Sequence, residues 1–210
     1  MGSMYSLEPI NVNLHDLNHA LRQLRKGEPG LAIGAITRDQ FITSFTCVPD
    51  SASVFDRFDS DGDRRNDVAE LLSILILCAD GDLAGKCTSV FQLYDFDQNG
   101  ILSRSELVLL IRGTLRALAK ASSSLRMPRL YIIEETVQNI LEADPHDIQE
   151  SVSMTRFTQW CLKSATFTSL IESIRKPSPV PSLVFDSIEE NCIGGHSKSL
   201  VVGEKVYVQV

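Results

Sequence analysis

The 210-residue chain carries a formal charge of −7, which excludes nucleic acid as its main partner, because neutralising phosphates needs a concentrated basic surface. Hydrophobic residues make up 43% of it. The longest apolar run, Leu71 to Ala79, is interrupted by Ser73 and ended by Asp80, too short to cross a bilayer.

Five cysteines (Cys47, Cys78, Cys87, Cys161, Cys192) are odd in number and show no zinc-finger spacing. They point to a reducing, cytoplasmic setting, and the N-terminus lacks an apolar signal core. Met1-Gly2-Ser3-Met4-Tyr5-Ser6 matches the acylation pattern, with Gly2 as acceptor, but Met1-Gly2-Ser3 also reads as an expression scar before a native Met4. A membrane contact is expected only if Gly2 is acylated.

A helical pattern from Leu14 to Leu24 leads into a loop in which Gly34 and Ile36 fall at positions 6 and 8 when Pro29 is position 1. Its ligand positions hold Pro29, Leu31, Ile33 and Gln40, which cannot bind a cation, so this first copy is expected to be structural. His15 and His19, four apart on the preceding helix, read as a solvated face, since two histidines alone make a weak metal site.

Two stronger copies follow, Val54-Phe55 to Glu70 and Val90-Phe91 to Glu106, with first aspartates at 59 and 95, 36 residues apart. In the later one Asp95, Asp97 and Asn99 occupy positions 1, 3 and 5, and Gly100 takes the sharp turn at 6. Ile101 offers its carbonyl at 7, Ser103 stands at 9 and Glu106 closes at 12. These are hard oxygen ligands in the spacing of a helix–loop–helix Ca²⁺ site, and a bidentate glutamate favours Ca²⁺ over the smaller Mg²⁺. The 59–70 loop offers Asp59, Asp61, Asp63, the Arg65 carbonyl, Asp67 and Glu70. Its charge count favours binding, but Arg64 stands where glycine is wanted, a cost of about 1 kcal/mol at positive φ. Asn66 replaces the apolar residue at position 8, so the strand contact to a neighbouring loop is expected to be poorer.

Arg112, Arg116 and Lys120 form a basic stripe read as ordinary helix C-terminal charge. An alanine- and serine-rich stretch, Ala117 to Met127, then separates the third copy from a fourth. In the fourth, Val152 can serve as position 8, but Arg156 stands at the closing position, so no metal is expected. Lys176-Pro177-Ser178-Pro179-Val180-Pro181 cannot continue a helix and leads to a tail of unclear fold.

The expected fold is all-α: four helix–loop–helix hands, two of them degenerate, paired in two lobes by short loop strands. The first lobe covers 13–79, the second 83–173, and 177–210 is linker and tail. With these loops and steps the chain resembles the EF-hand calcium-sensor superfamily that includes neuronal calcium sensors, calcineurin B and calaxin-like ciliary proteins. The likeness covers roughly residues 14–173 and is specific at 55–106. It implies a Ca²⁺ sensor or regulatory subunit, not an enzyme, in which calcium exposes an apolar groove for an amphipathic partner helix. It also implies a cytoplasmic setting with cytoskeletal, ciliary or peripheral-membrane options. The alternatives are a calcium-regulatory module of a larger enzyme, such as an oxidase or phosphatase, or a passive buffer.

Overall fold

A helix that is apolar on every side has to be buried on every side, and the run from Leu71 to Leu77 meets that condition at the centre of the molecule. In the computed structural model, which describes residues 11–27, 34–121, 127–142, 151–165 and 167–168, this run lies in helix α4 (Val68–Cys78), with every residue from 68 to 77 buried. Ser73, fully buried, donates to the Ala69 carbonyl at 2.6 Å and lies 3.2 Å from the Tyr94 hydroxyl, so its polar atom is satisfied. Gly2, the 28–33 segment, the linker from 177 and the tail lie outside the described residues.

Around α4 the described chain is mostly helical, with two small antiparallel sheets. The order is α1 (Leu14–Gly27), β1 (Ala35–Thr37), α2 (Arg38–Ser44), α3 (Ser51–Phe58), β2 (Arg65–Asp67) and α4. It continues with α5 (Leu83–Tyr94), β3 (Ile101–Ser103), α6 (Arg104–Ala121), α7 (Leu130–Leu141), β4 (Ser151–Ser153) and α8 (Met154–Lys163). The register places Ile36 opposite Asn66 in one sheet and Leu102 opposite Val152 in the other. All four side chains at these central pairs are buried. Helix α6 runs to Ala121, so the beginning of the alanine-rich stretch, with Ala117 and Leu118 buried, belongs to a helix and not to a connector. Among the described residues no helix is long and apolar enough to cross a membrane.

Each half contributes an aromatic group: Phe41 against Phe45 and Phe55 at centroid distances of 5.1 and 5.9 Å, and Phe91 against Phe157 at 5.7 Å. Helix α4 packs on both α5 and α6, so the buried apolar residues form one continuous cluster across the expected division after residue 79. Two polar links reinforce that seam. Lys86 is buried and donates to the Leu77 carbonyl at 2.7 Å, which puts an ammonium at the C-terminal end of α4 where the helix dipole favours a cation. Val12 accepts from Asp80 at 2.8 Å, and Asp80 accepts from Leu14 at 3.2 Å, which ties the segment before α1 to the turn after α4.

Tyr94 explains a glycine in the middle of α6. A Cβ on Gly113 would stand 2.2 Å from the Tyr94 hydroxyl and 3.1 Å from the ring carbon bearing it. The ring is itself buried, and burial pushes its phenol well above the usual range. Gly113→Ala is therefore expected to lower stability by about 1–3 kcal/mol through overpacking, against a helix-propensity gain of roughly 1 kcal/mol for alanine. Denaturant titration checks it, and Tyr94→Phe in the same chain should recover part of the loss.

Candidate metal centre

Two loops of equal length join α3 to α4 and α5 to α6, and three of their internal main-chain to side-chain hydrogen bonds correspond position by position. The first aspartate accepts from the sixth main-chain N–H: Asp59 Oδ2 from Arg64, and Asp95 Oδ2 from Gly100, both at 3.0 Å. The third residue accepts from the fifth, Asp61 from Asp63 at 3.4 Å and Asp97 from Asn99 at 3.2 Å. The fifth accepts from the seventh, Asp63 from Arg65 at 2.8 Å and Asn99 from Ile101 at 2.7 Å. These contacts wrap each loop around its own carboxylates; in the 95–106 loop Asn99 adds two more, its N–H to Asp95 Oδ1 at 3.1 Å and its side-chain amide to Asp97 Oδ2 at 2.8 Å, so every oxygen of Asp95 and Asp97 is engaged within the loop.

Backbone geometry repeats as well. Gly62 and Arg64 have φ of +72° and +63°, and Gln98 and Gly100 have +58° and +78°. Both loops thus take the left-handed conformation at positions 4 and 6, but glycine supplies position 4 in one and position 6 in the other. The expected defect at Arg64 is present: a long side chain stands in a region that favours glycine.

Among the described residues, Asp59, Asp61 and Asp63 form a group whose ligand atoms lie within 4.8 Å of one another. Asp59 Oδ1 is buried and has no hydrogen-bond donor, a costly state for a carboxylate oxygen unless a cation or water answers it. The donor set is all oxygen and fits a hard cation. A cleft of about 820 Å³, lined by Thr37, Arg38, Asp56, Asp59, Asp63 and Arg64 among others, leaves the loop open to solvent. In the 95–106 loop Asp95 is buried while Asp97 and Asn99 are exposed. Arg25 of α1 donates to the Gln92 and Leu93 carbonyls at 2.7 and 3.0 Å, just ahead of that loop. Burial pushes its guanidinium below the ordinary value, and nearby Asp95 opposes the shift.

The ninth residues act first as helix caps. Asp67 Oδ1 accepts from the Glu70 N–H at 2.9 Å, and Ser103 Oγ accepts from the Glu106 N–H at 3.3 Å. The closing glutamates then part company. Glu106 Oε2 turns back to Ser103, accepting from its N–H at 2.9 Å and its hydroxyl at 2.8 Å, a reciprocal capping box. Glu70 is buried and turns away from its loop, with Oε1 3.1 Å from Arg116 Nη1 and Oε2 3.2 Å from Lys120 Nζ. This corrects the reading of Arg116 and Lys120 as simple helix-end charge. Their i, i+4 spacing was visible, but no local pattern tied them to a residue so far back in the chain.

Two further expectations are revised or filled in. Asn66 is buried without penalty, because its Nδ2 donates to the Phe55 carbonyl at 3.0 Å, and it pairs with Ile36 in a regular strand contact. Arg156, at the closing position of the last copy, donates through Nη2 to the Leu141 carbonyl at the end of α7. The histidines are exposed on α1: His15 lies 3.4 Å from Asp16, and His19 lies 3.4 Å from Gln23.

No family model matches the chain. A stretch of 115 residues, 54% of this chain, is 27% identical to human ubiquitin carboxyl-terminal hydrolase 32. The match spans 7% of that protein's length.

The two left-handed sixth positions make reciprocal tests. A Cβ on Gly100 would meet nothing within 4 Å, so Gly100→Ala reports backbone strain alone and should cost about 1 kcal/mol. Arg64→Gly should raise stability by about 0.5 kcal/mol, the strain relieved less the entropy glycine adds to the unfolded chain. Both are read from denaturation midpoints in chelator.

Proposed function

We propose that the chain is a non-enzymatic, EF-hand-type calcium sensor or regulatory subunit, with its two cation loops at 59–70 and 95–106. The observation that carries this reading is the position-by-position match of hydrogen bonds in the two loops. A generic acidic turn has no reason to repeat all of them. Pairing of the 59–70 loop with the degenerate first copy, and of 95–106 with the fourth, is supported by the strand registers Ile36 to Asn66 and Leu102 to Val152.

A bound Ca²⁺ would supply a hard divalent charge that takes six to eight oxygens. Asp59, Asp61 and Asp63 on one side, and Asp95, Asp97 and Asn99 on the other, provide side-chain oxygens; Arg65 and Ile101 provide carbonyls. Ser103 and Asp67 cap their helices and stand at the ninth position. Glu70 and Glu106 lie in the first turns of α4 and α6, so any turn of their carboxylates toward the loops is transmitted to those helices. Exposed Leu109 on α6 and Leu130 and Tyr131 on α7 supply apolar surface for a partner of the amphipathic-helix class.

A second reading is a calcium-regulatory module of the kind carried within a larger enzyme. It is favoured by one observation, the similarity of 115 residues to a stretch of a far longer hydrolase. The two readings share the loops and differ in what the moving helices press upon.

Isothermal calorimetry with the full chain should give one or two Ca²⁺ per molecule. Glu106→Gln removes the bidentate anion and should abolish the tighter event while sparing any heat from the 59–70 loop. Unchanged tight binding in that variant would overturn the assignment of 95–106. A rise in apolar-dye binding on adding Ca²⁺ separates a sensor from a buffer.

A further inference from the structure

The closing carboxylate of the 59–70 loop is already engaged. Glu70 has a side chain only 9% exposed, and each of its oxygens meets a different cation, Arg116 and Lys120, at 3.1 and 3.2 Å. These two stand four residues apart, on one face of α6. Glu106 offers a contrast within the same molecule. It has no basic partner among the described residues, and its contacts are to Ser103, its own helix cap.

We infer that Arg116 and Lys120 set the cation affinity of the 59–70 loop by holding Glu70 out of it, and thereby couple that loop to the helix that leaves the 95–106 loop. The inference rests on reading 59–70 as a cation site. One carboxylate cannot give both oxygens to a cation in its loop and keep both on α6. Occupation of the loop by a bidentate Glu70 therefore requires the Arg116 and Lys120 contacts to break, and their strength is subtracted from the binding free energy. Release also leaves two positive charges on α6, a helix packed along α4 and beginning at Arg104, directly after β3. A displacement of α6 started from the other loop weakens the same contacts, and by linkage the effect is mutual. Arg64 strains the turn, but this clamp is a separate reason for the 59–70 loop to be the weaker one.

The test is calorimetric Ca²⁺ titration of the full chain carrying Glu106→Gln, so that the remaining heat comes from 59–70. Adding Arg116→Gln and Lys120→Gln together should tighten that event by about tenfold. Lys120→Gln alone leaves the Arg116 contact in place, so it remains folded if the double change does not, and should give a smaller gain in the same direction. Arg112→Gln removes an equal charge from the same helix without touching Glu70, and should shift affinity by less than about twofold, as a screened surface charge does. Equal affinity in parent and clamp variants overturns the clamp and leaves the loop assignment standing. An equal gain from Arg112→Gln overturns it in favour of general electrostatics. Absence of any binding at 59–70 in parent and variants alike overturns the loop assignment and the clamp with it. Binding that emerges only when the clamp is removed supports both.

Discussion

The first turn of a helix leaves main-chain N–H groups without carbonyl partners, and something must accept from them. In this molecule one chain position meets that need four times. Thr37, Asp67, Ser103 and Ser153 each end a short strand, and each side chain accepts from the N–H three residues on, at the start of α2, α4, α6 and α8. The strand residue just before each of them, Ile36, Asn66, Leu102 or Val152, is buried and paired across to another copy. Strand pairing and helix capping are thus fixed by adjacent residues. The direction in which each of these helices leaves its loop follows from the two together.

With the ninth residue committed to capping, the twelfth is left on the first turn with its side chain free to find a partner, and the four copies do so in three ways. Gln40 returns to the Thr37 N–H at 2.9 Å, completing a capping box. Glu106 does the same with Ser103. Arg156 reaches a carbonyl at the end of the helix before its loop, so a cation of the chain itself stands at the closing position. Glu70 crosses to α6, where two side-chain cations hold it. Glu106 is half-buried and its contacts are to a neutral partner, so turning its carboxylate elsewhere would cost little. For a buried carboxylate held by two cations the same turn costs more, since parting a largely desolvated charge from its partners is expensive.

What was legible in the sequence is what a short window holds. The loops at 59–70 and 95–106, their turn positions, the defect at Arg64, and the residues Ile36 and Val152 at strand centres all follow from spacing within about a dozen residues. The contacts that spacing could not give are those made at long range. Asn66 looked like a lost apolar contact because its acceptor, the Phe55 carbonyl, is exposed to it only once α3 has ended and the chain has turned. Arg116 and Lys120 looked like helix-end charges because Glu70 lies across a packed interface. Gly113 carried no signal at all, since the need for it comes from the Tyr94 hydroxyl on a different helix. The alanines after residue 117 suggested a connector by composition, yet Ala117 and Leu118 are buried in α6, where alanine is the best helix former available.

The two acidic loops show how a turn can tolerate a residue that does not suit it. Each needs the left-handed conformation twice, at positions 4 and 6, and each places one glycine. In the 95–106 loop the glycine occupies position 6, whose N–H goes to the first aspartate, and Gln98 bears the strain at position 4. In the 59–70 loop Gly62 relieves position 4 and Arg64 bears the strain at position 6. Arg64 still makes the 3.0 Å bond to Asp59 that Gly100 makes to Asp95. The hydrogen bond therefore holds the backbone in place whichever residue supplies the N–H, and the substitution costs energy without changing the shape. A loop whose shape survives this exchange keeps its carboxylates grouped. On the reading proposed above, a difference in cation affinity between the two loops would come from strain, from the engagement of Glu70 and from ligand charge, since Asp63 and Asp67 in one loop stand where Asn99 and Ser103 stand in the other.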